Sequence, residues 1–268
     1  MKRKIRAVIR GAGELGSAVA RRLWLAGFEV IALDRPEPTA IRREVCLANC
    51  IYTGKMKLEE IPASKADNLL QTKQLLQRGI LPVLVDPKGE FLKRLKPQIL
   101  VDARMTKKNL GTSIKDAPIV IGLGPGFEAG KDVHYVIETN REHNLGRVMR
   151  SGKAEENTGI PGEIKGFSSQ RLLRTPKKGI FESNKKIGDF ISKGQIVGWV
   201  NGFPIKAGIE GVLRGILRSG LEVNKNGKLG DIDPRGVKSY CFTISDKANA
   251  VAGGVLEAVL TSLSKDKF

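Results

Sequence analysis

Residues Ile5–Asp34 read IRAVIRGAGELGSAVARRLWLAGFEVIALD, and their pattern decides the fold class. Ile5–Ile9 is short, apolar and β-branched, as a buried strand is. Gly11-Ala12-Gly13-Glu14-Leu15-Gly16 follows it. Leu15, Ala18, Val19, Arg22, Leu23 and Ala26 then keep a helical period up to Gly27, a natural C-cap. Phe28–Leu33 is a second apolar run, and it ends at Asp34. The whole is a β-turn-α-β unit of about 30 residues, the length a parallel crossover requires.

The alternation continues outward from this unit. Thr39 is placed to cap a helix running through Arg42 and Arg43 to about Ala48, and Ser64–Arg78 reads as another helix closed by Gly79. Strands are expected at Ile80–Val85, Gln98–Val101, Pro118–Ile121 and Val133–Glu138. Strands alternating with helices make an open, mostly parallel, doubly wound sheet, here Rossmann-like. Ligands of such sheets bind off the carboxyl ends of the strands. That rule places the Gly11 turn, Asp34, Asp86, Asp102 and the Gly122 loop along one rim.

After about Asn140 short strands, Gly and Pro dominate, as in Asn157–Gly162. The stretch from Ile187 to Val197 and the stretch from Gly220 to Leu229 are weak copies of one another, which predicts two similar hairpin units about a pseudo-twofold axis. The order resembles a biotinyl/lipoyl barrel-sandwich domain. The carrier lysine's Met-Lys-Met context is missing, and the expected tip reads Trp199-Val-Asn-Gly-Phe-Pro-Ile-Lys206, so no biotin or lipoyl group is expected on Lys206. The expected division is a Rossmann-like nucleotide-binding domain over 1–145 and a β-rich domain over 146–268. The second holds a barrel-sandwich-like core at about 175–240 and an apolar-faced helix, capped by Ser245, at about 245–264.

The chain has 268 residues, enough for one large domain or two modest ones. Its 46 Lys and Arg against 28 Asp and Glu leave a net charge of +18, which predicts affinity for polyanions. Aromatic residues are only 5%, so there is little to stack bases on, and nucleic acid ranks below a phosphate-bearing small molecule. No apolar run approaches the ~20 residues of a bilayer span, so no membrane association is expected. The N-terminus, Met1-Lys2-Arg3-Lys4, is basic, but no apolar leader with a cleavage site follows, and the expected location is cytoplasmic. Cys46, Cys50 and Cys241 make an odd count with no metal-ligand spacing, so small buried side chains are expected rather than a disulfide or a zinc site.

Four motifs can carry chemistry. In the first, Gly11 permits a tight turn, Gly13 lets a pyrophosphate approach the backbone, and Gly16 lets the helix pack close to the sheet. Asp34, 18 residues after Gly16, is placed to take ribose hydroxyls, while Arg35 can tolerate a 2′-phosphate, so NAD and NADP both stay open. Arg10 adds a phosphate contact on this reading. In the second, Gly122, Gly124 and Gly126 with Pro125 make a rigid loop that is either an anion nest or a structural turn. In the third, His134 and Glu138 share a strand face and His143 follows; they serve as ligand contacts or a general base, or else as strand and turn residues. In the fourth, Asp102 and the basic loop Arg104–Asn109, then Gly111-Thr112, suit a phosphate-bearing ligand, a charge network or a solvated loop.

Several runs resemble the YqeB family, accessory proteins of selenium-dependent molybdenum hydroxylases. They are Arg10–Leu23, Pro38–Arg43, Leu81–Pro87, Val120–Phe127, Val136–Arg147, Gly230–Arg235 and Ile244–Ala248, so the resemblance spans nearly the whole chain. Glu142 departs from it, standing where the family usually has Gly. The resemblance implies a role in maturing a xanthine-dehydrogenase-type hydroxylase, with a Rossmann part similar to that of the XdhC proteins, which carry molybdenum cofactor. It implies a molybdenum hydroxylase client as partner, and it assigns no residue of this chain a catalytic role. A selenium-transfer step would draw on Cys46, Cys50 or Cys241, since a thiolate is the natural carrier. Molybdenum cofactor or NAD(P) is the expected ligand. The competing classes are an NAD(P)-dependent oxidoreductase and a nucleic-acid-binding protein.

Overall fold

A computed structural model describes residues 5–156, 159 and 161–265. Met1–Lys4, and Asn157, Thr158 and Ile160 of the Gly/Pro-rich stretch, lie outside the described residues. The chain divides into two compact units. The first holds Met1–Pro38, Cys46–Asn157 and Ile244–Phe268, and the second holds Thr39–Val45 and Thr158–Thr243.

The first unit is built on a nine-stranded mixed sheet. Its elements are β1 (Arg6–Arg10), α1 (Glu14–Leu25), β2 (Glu29–Asp34), α2 (Cys50–Thr53), β3 (Lys55–Leu58), β4 (Ile61–Ala66), α3 (Leu69–Gln77), β5 (Leu81–Val85), α4 (Glu90–Leu95) and β6 (Ile99–Asp102). There follow β7 (Ile119–Leu123), β8 (Glu128–Ala129), β9 (Tyr135–Ile137), β10 (Val148–Met149), β11 (Gly152–Lys153) and, from the chain's end, α5 (Asp246–Lys265). The sheet order is β10-β9-β7-β6-β1-β2-β5-β4-β3. All neighbours pair in parallel except the two edges, β10 on β9 and β3 on β4. The order reverses at β1, which has β2 on one side and β6 on the other. Val8, Ile31, Leu33, Leu84, Leu100 and Val120 meet Leu92 and Leu95 of α4 in one buried cluster. Helices α1 and α5 pack on each other.

The second unit holds β12 (Leu172–Arg174), β13 (Gly179–Glu182), β14 (Phe190–Ile191), β15 (Ile196–Val200), β16 (Phe203–Lys206), β17 (Gly211–Ile216), β18 (Glu222–Val223) and β19 (Lys228–Asp233). They form two four-stranded sheets, β12-β19-β17-β14 and β16-β15-β13-β18, antiparallel throughout. In the two orders β19 and β15 both stand second and β14 and β18 both stand last, so the two weak sequence copies occupy equivalent places in the two sheets. Asn201 and Gly202, both at positive φ, make the tip of the β15–β16 hairpin. Lys206 lies at the far end of β16, opposite Ile196, rather than at that tip.

Three expectations are corrected. Ser64–Ala66 is strand, and the helix begins only after Asn68, whose side chain accepts the Gln71 N–H at 3.0 Å. No α-helix runs from Thr39 to Ala48, because Thr39–Val45 belongs to the second unit. There the Ile41 carbonyl accepts the Ile216 N–H, Arg42 donates to the Tyr240 and Thr243 carbonyls, and Arg43 donates to the Ile216 carbonyl. The C-terminal helix, expected with the β-rich domain, belongs to the first unit, where it packs on α1, β7, β9 and β10.

Candidate functional site

Because β1, β2, β5, β6 and β7 run parallel, their carboxyl ends share one rim, which carries the Gly11 turn, Asp34, Asp86, Asp102 and Gly122. The three glycines of the first turn have different surroundings. A Cβ on Gly11 would stand 2.7 Å from the backbone of Ala103 and Arg104, and one on Gly16 would overlap the Gly11 carbonyl oxygen. A Cβ on Gly13 would meet nothing within 4 Å. Thus Gly11 and Gly16 close the turn on the protein itself, and Gly13 faces open space. Helix α1 starts at this point with no side-chain cap on its first turn, so its positive end is presented by backbone alone. Glu14, the acid of that turn, is engaged by the Ser245 hydroxyl at 2.6 Å.

Asp34 sits where the motif requires it, but its carboxylate is already in use. One oxygen accepts the Ala12 N–H and the other the Arg35 N–H, each at 2.7 Å. Burial raises its carboxyl above the ordinary value, against the lowering effect of these two bonds and of the Arg35 charge.

Asp102 is 1% exposed and anchors the loop after β6. It accepts Arg104 Nε at 3.0 Å, Arg104 Nη2 at 2.6 Å and the Thr112 hydroxyl at 2.6 Å. Asn109 closes the loop through two bonds to the Thr112 backbone. The fourth motif is therefore an internal charge network. Asp86 likewise caps α4 by accepting the Glu90 and Leu92 N–H groups at 2.8 and 3.0 Å.

The Gly122 loop is filled by the protein. A Cβ on Gly122 would lie 2.5 Å from the Phe127 ring, one on Gly124 would overlap the Thr139 hydroxyl, and one on Gly126 would lie 2.7 Å from the Lys108 backbone. Its glycines are explained by these close approaches, as in a structural turn.

The histidine motif also separates. Nδ1 of His134 accepts the Val120 N–H at 3.0 Å, and burial lowers its pKa, so the ring is a neutral part of the strand pairing. Glu138 is buried and accepts backbone N–H groups from Thr139, Asn140 and Glu155 at 2.6 to 2.8 Å. No hydrogen bond joins it to His134. His143 lies in an exposed turn. The three thiols are buried, that of Cys50 being pushed up to about 12 by desolvation and that of Cys241 being raised by the same cause.

Sequence reasoning missed the role of the Gly230–Arg235 run. In the second unit Asp231 pairs with buried Arg171 at 2.7 Å, and Asp233 pairs with Arg235 at 2.6 Å and Arg214 at 3.5 Å. Alternate acids on one strand were the available signal, since their side chains share a face. Among the described residues no three His, Cys, Asp or Glu side chains are grouped to hold a metal ion. None of the described helices is long and apolar enough to cross a membrane.

No family model matches the chain. It is 49% identical over 253 residues to the Escherichia coli (strain K12) protein described as uncharacterized protein YqeB. That match takes in 94% of this chain and 47% of the other, so the chain spans about half the length of this relative. Over that span the chain is similar to YqeB. Among solved structures, an aspartoacylase family protein from Mesorhizobium loti is 14% identical, with a TM-score of 0.27 over 85% of this chain and 84% of that one. The ectoine utilization protein EutE from Ruegeria pomeroyi is 9% identical, with a TM-score of 0.26 over 85% and 86%. Superpositions this loose say nothing of fold or activity here.

Proposed function

We propose that this chain, YqeB-like over nearly all its length, is a binding and maturation factor for selenium-dependent molybdenum hydroxylases. On this reading its first unit is a Rossmann-like domain that holds a phosphate-bearing nucleotide or the molybdenum cofactor at the Gly11 turn. The second is a barrel-sandwich-like structural domain, with an acidic client hydroxylase as the partner.

The observation that carries the reading is the contrast within the turn. Gly13 faces open space beside an uncapped helix start, while Gly11 and Gly16 are closed by backbone. Backbone N–H groups at such a point suit a pyrophosphate, which molybdopterin dinucleotides and nicotinamide dinucleotides both carry. When bound, a molybdenum cofactor supplies the metal through its pterin, and the chain's part is to hold the phosphate and keep the cofactor for a client. The oxidoreductase alternative has less support, because Asp34 is spent on the turn and His134 on the strand.

The test is anaerobic purification from a host making molybdenum cofactor, followed by native mass spectrometry with metal and selenium analysis. A pterin or molybdenum species bound to the chain is the expected result. NAD or NADP alone would overturn the maturation reading in favour of the oxidoreductase.

A further inference from the structure

Beside the rim, on the sheet face covered by α4, the first unit contains a cavity of ≈ 690 Å³. This is the size of small-molecule sites, which run about 300–1,000 Å³. Its lining is strongly one-signed. Arg10, Lys88, Lys93, Lys96 and Lys115 contribute to it, against the single acid Asp116. Leu92, Pro97, Leu110, Ala117 and Pro118 supply apolar wall.

Arg10 marks the cavity as built. Its side chain leaves β1 on the face of Val8 and is only 9% exposed. A buried guanidinium is ordinarily saturated by carboxylates. Here the sole hydrogen bond its side chain makes among the described residues is at the outer limit, 3.5 Å to the Thr112 hydroxyl. The nearby acids are occupied elsewhere: Asp102 holds Arg104 and Thr112, and Asp86 caps α4. Burial, with the Arg104 charge beside it, pushes the Arg10 guanidinium below its usual range. None of the four cavity lysines forms an ion pair among the described residues. Such a cluster repels itself and is stabilised by an anion from outside.

The charges are also spread. Lys88 precedes α4, Lys93 lies within it, Lys96 follows it, and Lys115 stands on the facing segment. A six-residue helix is roughly 9 Å long, so the cations at its two ends are further apart than one phosphate reaches.

We propose that this cavity is a second ligand site, specific for a small organic diphosphate of nucleotide size, with Arg10 at its buried end. It is separate from the Gly11 turn and does not rest on the reading of that turn.

The probe is inorganic pyrophosphate, titrated into the full chain by calorimetry at low and moderate salt. The wild-type chain binds it with an affinity that falls as salt rises. The exposed-residue variant K88S/K93S/K115S loses about tenfold or more in affinity, the effect of roughly 1.4 kcal/mol or more of lost charge pairing. Arg10→Gln weakens binding similarly, with its folding checked by circular dichroism; the lysine variant carries the test if Arg10→Gln does not fold. Gly13→Asp removes any binding at the glycine turn, and the pyrophosphate binding that this variant keeps is the binding that the lysine substitutions weaken. Absence of binding to the wild type overturns the proposal. So does binding that survives the lysine substitutions and is lost in Gly13→Asp, which moves the anion to the glycine turn and supports that reading instead. Displacement of pyrophosphate by a short single-stranded oligonucleotide of higher affinity overturns the small-molecule assignment.

Discussion

The Asp34 carboxylate accepts the backbone N–H of Ala12 at 2.7 Å, so the acid that ends β2 fixes the glycine turn that follows β1. A side chain read as a ribose contact is thus first a brace for the turn. Asp34→Leu leaves the Ala12 N–H without a partner, at a cost of about 1–3 kcal/mol. Asp34→Asn keeps an acceptor in place and is expected to cost less. The pH dependence has a definite sign. A carboxyl whose folded pKa is raised holds its proton longer in the folded state, so its effect on stability turns unfavourable as pH rises through the unfolded value of ~3.9 toward the folded one. Asp34→Asn removes that dependence, and thermal unfolding of both variants between about pH 3 and pH 7 checks it.

Gly13 and Gly16 are expected to respond in opposite ways to substitution. A side chain at Gly13 enters open space from ordinary backbone, with φ −69°. Gly13→Asp therefore keeps its circular dichroism and melting temperature, but its carboxylate occupies the place of a pyrophosphate, and the co-purified ligand is lost from native mass spectra. Gly16→Ala drives a methyl group into the Gly11 carbonyl and is expected to destabilise the fold by ~2 kcal/mol or more. A Gly13→Asp chain that retains its ligand refutes the turn as the binding site.

In the second unit, Arg171 and Asp231 form an ion pair whose side chains are 6% and 10% exposed. The pair is imperfect, because Arg171 Nε is buried without a partner. Removing only the cation strands a buried carboxylate, so Arg171→Leu is expected to cost about 3–5 kcal/mol. The double variant R171L/D231L is expected to recover most of that loss, since an apolar pair pays no desolvation. Urea denaturation of the wild type and the two variants distinguishes this from a pair that is itself stabilising, for which the double variant stays as weak as the single.

Asp233 gives the second unit an acid limit. Burial opposes its charge, but the Arg235 guanidinium and N–H, with the Arg214 charge, hold its carboxyl below the ordinary value. A lowered folded pKa means that the contribution is present above the unfolded value of ~3.9 and is lost as pH falls through the folded value. Melting temperature is expected to fall below about pH 4, and Asp233→Asn to flatten that part of the curve.

Much of the first unit was legible because Ile5–Asp34 contains both of its periods, two for the strands and 3.6 for the helix, with glycines at the change. The repeat at Phe190 and Glu222 was legible because equivalent strands keep equivalent residues. Three features were not. The β3–β4 hairpin turns through Glu59 at φ 50°, with neither Gly nor Asn to announce it. Helix α4 has six residues, too few for a period to show. The segment 39–45 joins the second unit through the carbonyls that Arg42 and Arg43 cap, partners about two hundred residues away. In the site, the types of Asp34, His134 and Glu138 suggested ligand chemistry, but their hydrogen bonds go to backbone amides, which no side-chain pattern reveals.

The cysteines carry the last prediction. Selenium transfer through a thiolate needs an accessible sulfur that ionises near neutral pH. Cys50 is fully buried with its thiol pushed up to about 12, and Cys241 is 1% exposed with its thiol raised and directed at the Leu213 carbonyl at 3.8 Å. Cys46 is 1% exposed. The folded chain at about pH 8 is therefore expected to react with a disulfide reagent at the rate of its unfolding, and all three thiols to react at once in guanidinium. Replacing the three by Ala or Ser leaves any selenium retained by the native protein unchanged. One thiol that reacts rapidly in the folded state, or loss of selenium with its removal, would restore a covalent carrier role to that cysteine.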